Sequence, residues 1–413
     1  MKRRVVVLTE IIAPYRIPVF NVLAERAEVD LHVIFLSETD NSMRQWRVYA
    51  EEIRFSYEVL PSWRTRLGKY NILVNQSVTS ALERAQPEVV VCGGYNYLAS
   101  WQAQWWAKRN RVQFFLWCES TSSDQRGERA PVELLKGSFL RGCDGFVVPG
   151  KSSREYLLRL GVAAEKIFTA PNAVDIDRFA AGARIVRDKA EQVRHSLGLP
   201  LRYFLFVGRM VRSKGIFDLM EAYGLLTPEL RSELGMVYAG NGPERAQLEK
   251  LARDVYPGVV YFPGFVHRDE LAAYYGLAEC FVLPTHSDPW GLVVNEAMAC
   301  GLPVICSSVA GCAADLVRGN GIIVAARNGP RLAMVMQEVA TDPGLRERMS
   351  RESTKLIQQY SPQTFAAGLA DALTPVFPSR EGDGPGLTAS HPGDRRRANA
   401  TERAGSVREN LHR

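Results

Sequence analysis

Two carboxylates and two cations stand out by residue type and setting. Asp288 and Glu296 lie eight positions apart within residues 280–308, CFVLPTHSDPWGLVVNEAMACGLPVICSS, and Arg209 and Lys214 lie earlier, in VGRMVRSKG. Glycine beside Arg and Lys suits a diphosphate, because glycine admits close backbone approach and the cations supply charge-assisted hydrogen bonds. A carboxylate at Glu296 could accept two hydrogen bonds from the vicinal hydroxyls of a ribose. Each residue also has a plainer reading. Arg and Lys are ordinary in solvated loops, and a Glu in the first turn of a helix satisfies the helix dipole. His286, in the same loop as Asp288, is either a polar contact or simply exposed.

The elements that would hold these residues follow from period and punctuation. Residues 280–308 read as strand, loop, helix, Gly-Leu-Pro stop and strand. A helix N-terminus just beyond a strand's carboxyl end is where open α/β sheets bind phosphate-bearing ligands, since free backbone N–H groups and the dipole face the anion. Gly208 and Arg209 also end an apolar run, and Gly215 opens the next helical pattern. YAGNGP at 238–243 is another such turn, with Pro243 where first-turn helix prolines sit. FPGFV at 262–266 is a third, and its backbone could meet a nucleobase.

Both halves of the chain alternate strand and helix. Apolar runs fall at 5–8, 31–36, 88–92, 112–117, 145–148 and 166–169, then at 203–207, 236–239, 259–262, 280–283, 304–306 and 322–324. Continuous apolar strands joined by helices predict an α/β fold with parallel sheets covered on both faces. The expected organisation is a first domain over 1–171, a linker with one charged helix over 172–200, a second domain over 201–360, and a helix at 361–376 returning to the first domain. Residues 43–69 are irregular and rich in Trp and Arg. Residues 377–413, rich in Gly, Pro, Arg and Ser, are expected to be disordered.

Composition narrows the function classes. The 413 residues carry a formal charge of +6 and are 46% hydrophobic, which allows two cores and lacks the dense basic face of a nucleic-acid binder. The seven cysteines form no CxxC pair and sit in apolar surroundings, so they read as reduced, buried thiols of a cytoplasmic protein rather than as disulfides or a zinc site. The first apolar run stops at Thr9 and Glu10, too soon for a secretory leader, and no run reaches the length of a membrane span. No Asp-x-Asp motif stands at a strand end, so no metal cofactor is expected.

In the first half, three strand ends face where a second substrate would lie. They bring Tyr15 and Arg16, Gly94 and Tyr95, and Glu119, the last being the acid or base candidate. Trp105, Trp106, Lys108, Arg109 and Arg111, with Lys136 and Arg141, could form a basic, aromatic face for peripheral contact with anionic lipid at the inner side of a membrane. The ordinary alternative is a solvated helix face with buried Trp.

Taken in order, the turns resemble the GT-B-fold retaining glycosyltransferases, in particular family 4. The match runs through Val207-Gly208-Arg209 with Lys214-Gly215, the AGNGP turn at 239–243, Gly264-Phe265-Val266, and the segment from Pro284 to Pro303. Residues 171–175, PNAVD, with Phe179, are similar to the family's interdomain PNGVD segment. The resemblance implies two Rossmann-like domains facing across a cleft, a nucleoside-diphosphate sugar bound by the second domain, and a glycan, lipid-linked or small-molecule acceptor bound by the first. It implies that Arg209 and Lys214, next to Gly208, grip the diphosphate and that Glu296, the second acid of the E-x7-E motif, binds the ribose. It further implies that backbone at Trp290, Gly291, Leu292 and Val293 meets sugar and phosphates, and that Val266 holds the base. Two departures are visible. Asp288 stands where the family has Glu, one methylene shorter, and the usual glycine-rich first loop is here Ile12-Ala13-Pro14-Tyr15-Arg16. Two other activities share such a cleft: a sugar-nucleotide 2-epimerase, and a non-catalytic sugar-nucleotide-binding partner.

Overall fold

The structure, a computed structural model, describes residues 2–39, 46–67, 70–124, 130–256 and 259–374. The segment expected to be disordered, 377–413, lies outside the described residues.

The first sheet takes β1 (Arg3–Thr9), β2 (Val29–Phe35) and β3 (Ser56–Val59) from the start of the chain. A two-stranded antiparallel hairpin, β4 (Trp63–Leu67) and β5 (Tyr70–Val74), stands beside it. The sheet is completed by β6 (Val89–Cys92), β7 (Gln113–Trp117), β8 (Gly145–Val148) and β9 (Ile167–Thr169), in the order β3-β2-β1-β6-β7-β8-β9, every pairing parallel. The second sheet is β12-β11-β10-β13-β14-β15, also parallel, built from β10 (Arg202–Val207), β11 (Leu234–Ala239), β12 (Val260–Gly264), β13 (Cys280–Leu283), β14 (Val304–Ser307) and β15 (Gly321–Val324). The apolar runs of the central strands are buried on both faces: Val5 to Leu8 and Tyr203 to Phe206 are at most 1% exposed. This gives the two Rossmann-like layers that the sequence predicts.

Strand order places the candidate residues. In each sheet the chain order reverses between two neighbouring strands, β1 and β6 in the first, β10 and β13 in the second. The loops leaving those strands diverge and open a crevice at the carboxyl edge. The turn after β10 holds Arg209 and Lys214, and the loop after β13 holds Asp288, so residues far apart in sequence become neighbours. The helix Pro362–Leu373 returns to the first sheet, where Phe365, Leu369 and Leu373 pack with Val5, Ile17 and Phe20.

Three expectations are corrected. The stretch 43–69 contributes β3 and β4. The linker contains two helices, Ile176–Asp188 and Ala190–Leu197, not one. The first is capped by Asp175, whose side chain accepts from the Arg178 N–H, and its Ile176, Phe179 and Ala183 join the second core. The basic, aromatic face is only partly formed. Trp106 (6% exposed) and Lys136 (8%) are buried, Lys136 lying over the Tyr156 ring, whereas Trp105 is exposed with Arg109 over its ring. The seven cysteines are free and buried. Among the described residues no helix is long and apolar enough to cross a membrane.

Candidate active site

The turn after β10 is built from backbone outward. β10 ends at Val207, Arg209 is exposed, and a short turn of 3-10 helix, Arg212–Lys214, leads through Gly215 into the helix Ile216–Gly224. Gly215 has φ +68°, and a Cβ there would lie 1.9 Å from the Pro284 carbonyl oxygen. Only glycine lets this turn press against the end of β13. The two loops are also tied by the His286 N–H and the Thr285 hydroxyl, which both donate to the Ser213 carbonyl at 2.8 and 3.0 Å. The His286 ring bonds Asp218 at 2.7 Å, so its visible partner is the helix behind the turn.

Lys214 Nζ donates to Asp288 Oδ2 at 2.5 Å. Asp288 Oδ1 takes the Trp290 N–H at 3.4 Å, and its carbonyl takes the Gly311 N–H at 2.9 Å. Lys214 and Asp288 are therefore one ion pair across the mouth of the crevice. Trp290 is buried (3% exposed), and its main chain is bonded on both sides, its N–H to Asp288 and its carbonyl to the Cys312 N–H. Gly291, at φ +95°, precedes the helix Leu292–Ala299 and accepts the Val294 N–H. The first N–H groups of such a helix have no intrahelical acceptor and remain available to an anion.

Glu296 is on the second turn of that helix. The Tyr275 hydroxyl donates to its Oε2 at 2.8 Å. Burial pushes the Glu296 carboxyl up to about 7, against opposing pulls from Tyr275 and Arg268. The turn at the end of β12 is knitted to the glycine turn of β11: the Gly240 N–H donates to the Gly264 carbonyl at 2.7 Å, and Arg245 holds the Phe262 carbonyl at 3.2 Å. Val266 is half-buried just beyond.

On the opposite wall, Tyr15 and Arg16 follow β1, Gly94 and Tyr95 follow β6, and Glu119 follows β7. Arg16 forms an ion pair with Glu119, and Asn172 Nδ2 donates to the same carboxylate at 3.0 Å. Burial raises the Tyr95 hydroxyl well above its ordinary value. Gly94 has open space where a Cβ would stand.

Sequence reasoning missed Tyr275, Arg268, Asn172 and Asn295 as contributors. Tyr275 and Arg268 give no local signal, being ordinary residues of the helix Arg268–Leu277. Asn172 and Asn295 lie inside segments singled out for other residues. Among the described residues no group of three or more His, Cys, Asp or Glu is arranged to hold a metal ion.

Comparison with known proteins gives a consistent picture. Residues 189–356 match the family described as Glycosyl transferases group 1, and residues 23–178 match Glycosyltransferase Family 4. The chain is 30% identical over 234 residues to the D-inositol 3-phosphate glycosyltransferase of Xylanimonas cellulosilytica, covering 55% of this chain and 56% of that protein. It is 32% identical over 233 residues to the D-inositol 3-phosphate glycosyltransferase 1 of Catenulispora acidiphila, covering 52% and 54%. The chain thus spans about half the length of these curated relatives. The crystal structure of Anabaena HepE in complex with UDP and glucose superposes with a TM-score of 0.71 at 15% identity, over 91% of this chain and 100% of that one, a likeness of fold.

Proposed function

Because the chain belongs to the GT-B-fold glycosyltransferases of group 1 and family 4, we propose that it moves a hexose from a nucleoside-diphosphate sugar to an acceptor hydroxyl, with retention of anomeric configuration. The observation that carries this reading is the Lys214–Asp288 ion pair in the loop ahead of the helix Leu292–Ala299, which carries Glu296, at the switch point of the second sheet.

The bond between sugar C1 and phosphate oxygen breaks through an oxocarbenium-like state and releases a nucleoside diphosphate. Arg209, Lys214 and the N–H groups of Leu292 and Val293 receive the growing phosphate charge, where fixed donors lower a barrier most. The acceptor hydroxyl attacks C1 from the face that the phosphate leaves. Its proton passes to the departing phosphate oxygen, and the configuration is kept. Asp288 aims the Lys214 ammonium, and its shorter arm sets its reach to the sugar. Glu296, held by Tyr275, takes the ribose diol, Val266 the base through its main chain, and Gly291 the sugar and phosphates. In this reading Arg209 and Lys214 meet the phosphate charge in place of a metal, so turnover should persist in EDTA; its loss would refute metal independence.

The decisive assay is donor consumption with and without acceptor. D-inositol 3-phosphate, the compound in the relatives' name, comes first, then glycans and lipid-linked sugars. Transfer predicts nucleoside diphosphate release that depends on acceptor. Free nucleotide with an epimerised sugar and no acceptor would identify a 2-epimerase, and donor binding without turnover a non-catalytic partner. Exposed Trp105, Lys108, Arg109 and Arg111 suit contact with an anionic bilayer on the acceptor side. Co-sedimentation with phosphatidylglycerol vesicles, lost in Trp105→Ala, is expected; no sedimentation removes that contact.

A further inference from the structure

Glu119 is a carboxylate on the acceptor wall, the residue type expected of an acid or base. Its contacts point elsewhere. Oε1 takes both the Arg16 Nη2 donor and Asn172 Nδ2. Arg16 gives its other terminal nitrogen to Asn172 Oδ1 at 3.0 Å, and its guanidinium lies 4.0 Å over the Trp117 ring. Asn172 is 1% exposed, and its carbonyl accepts Asn295 Nδ2 at 3.0 Å. Asn295 is fully buried, and its Oδ1 accepts the Trp290 indole N–H at 2.9 Å.

These bonds form one continuous chain. Trp290 belongs to the loop that carries Asp288, and Asn295 neighbours Glu296 on the donor helix. Asn172 is in the crossover between the two sheets, and Glu119 and Arg16 are on the acceptor wall. Both asparagine amides are used at both ends. Sliding the donor helix relative to the wall would strand a buried polar group, so the chain defines a register as apolar packing alone would not.

We infer that this buried relay sets the donor helix against the acceptor wall, and that Glu119 and Arg16 act through it as positioning residues rather than as the acid and base of the transfer. The kinetic consequence rests on the glycosyltransferase reading; the relay itself does not. The relay ends at Trp290, whose main-chain N–H also reaches Asp288 Oδ1 at 3.4 Å, and it bonds no atom of the Glu296 carboxylate. It therefore governs the placement of the acceptor hydroxyl against C1 and leaves the hold on the nucleotide alone.

The test compares Glu119→Gln, Glu119→Ala, Asn295→Ala and the Glu119→Ala/Asn295→Ala double variant of the full chain. The readouts are kcat, KM, affinity for UDP, ADP and GDP, the pH–rate profile, and the thermal midpoint without substrate. Glu119→Gln keeps an acceptor oxygen for Asn172 and should stay within about fivefold of wild type, with the same pH profile. Glu119→Ala and Asn295→Ala should each lower kcat at least about tenfold with nucleotide affinity held within about twofold, and the double variant should be no worse than the poorer single. A Gln variant as impaired as the Ala variant, with a limb of the pH profile lost, would make Glu119 an acid or base and overturn the proposal. So would a kcat unchanged in Asn295→Ala. The thermal midpoints separate the two readings. Losses that fall short of additive in the double variant support the relay even if no donor is ever turned over, in which case only the transferase reading fails. Additive losses refute the relay whatever the activity.

Discussion

At the residue scale, Lys214 and Glu296 carry the clearest expectations. Lys214→Ala removes a charge-assisted donor, an interaction of about 1.5–3 kcal/mol, so transfer should fall at least about tenfold. It also leaves Asp288, 9% exposed, without its cation. Steady-state kinetics indistinguishable from wild type would remove Lys214 from the site. Glu296 is destabilising by design of its surroundings. Its pKa in the fold, about 7, stands above its ordinary 4.5. The folded state therefore binds the proton more tightly than the unfolded one, and stability from this group falls as pH rises from about 4.5 through about 7. At higher pH the cost is at most roughly 3 kcal/mol. Glu296→Gln should raise the thermal midpoint at pH 8, flatten that pH dependence, and weaken nucleoside-diphosphate binding in calorimetry. An unchanged midpoint together with unchanged binding would contradict both parts. That Lys214 and Asp288 stand in strand-end turns and Glu296 in the helix beyond was legible in residue types and punctuation. The direct pairing of Lys214 with Asp288 was not, because side-chain reach depends on β10 lying beside β13, a relation between elements and not between residues.

At the element scale, the strands legible in the sequence are those with a continuous apolar run, whether central or, like β9, β12 and β15, at a sheet edge. The strands missed are β3, whose residues are exposed or half-exposed at a sheet edge, and the β4–β5 hairpin. β3, with the sequence SYEV, carries no continuous apolar run, so periodicity is silent there. The helix Ile176–Asp188 was masked by the proline that precedes it, although Asp175 as N-cap and the spacing of Ile176, Phe179 and Ala183 were available signals. The turn at Gly215 is the element on which the site depends most. An Ala there takes a left-handed conformation that costs about 1–2 kcal/mol in any setting, and its Cβ meets the Pro284 carbonyl. Gly215→Ala should therefore lower stability by about 2 kcal/mol or more and weaken nucleotide binding, as the Lys214 turn is pushed off the Asp288 loop. Denaturation and calorimetry check both. A variant that keeps wild-type affinity would mean that this close approach is not what sets the cation.

At the scale of the whole molecule, the two sheets are joined by charge as well as by chain. Glu52, from the first half, accepts from Arg268 at 2.5 Å and from Arg178 at 3.1 Å. Arg268 also reaches the Pro14 carbonyl at 3.2 Å and lies 4.1 Å over the Tyr49 ring. Tyr49 donates its hydroxyl to Asp269 at 2.9 Å while holding φ +54°, a left-handed conformation that a buried aromatic residue adopts only under constraint from its surroundings. Arg268 opens the helix that ends near Tyr275, the residue that holds Glu296. The contact between the halves and the hold on the Glu296 carboxylate thus lie on one helix. Glu52→Ala removes the acceptor shared by two guanidinium groups, one of them only 12% exposed, and should cost about 1–3 kcal/mol in chemical denaturation. With the halves less firmly docked, water should reach the activated donor more easily, so acceptor-independent hydrolysis should rise relative to transfer. Tyr49→Phe, which keeps the ring under Arg268 and loses only the bond to Asp269, should show a smaller change in the same direction. If Glu52→Ala leaves both stability and the ratio of hydrolysis to transfer unchanged, the cluster is a solvated set of charges, and closure of the two halves is governed elsewhere.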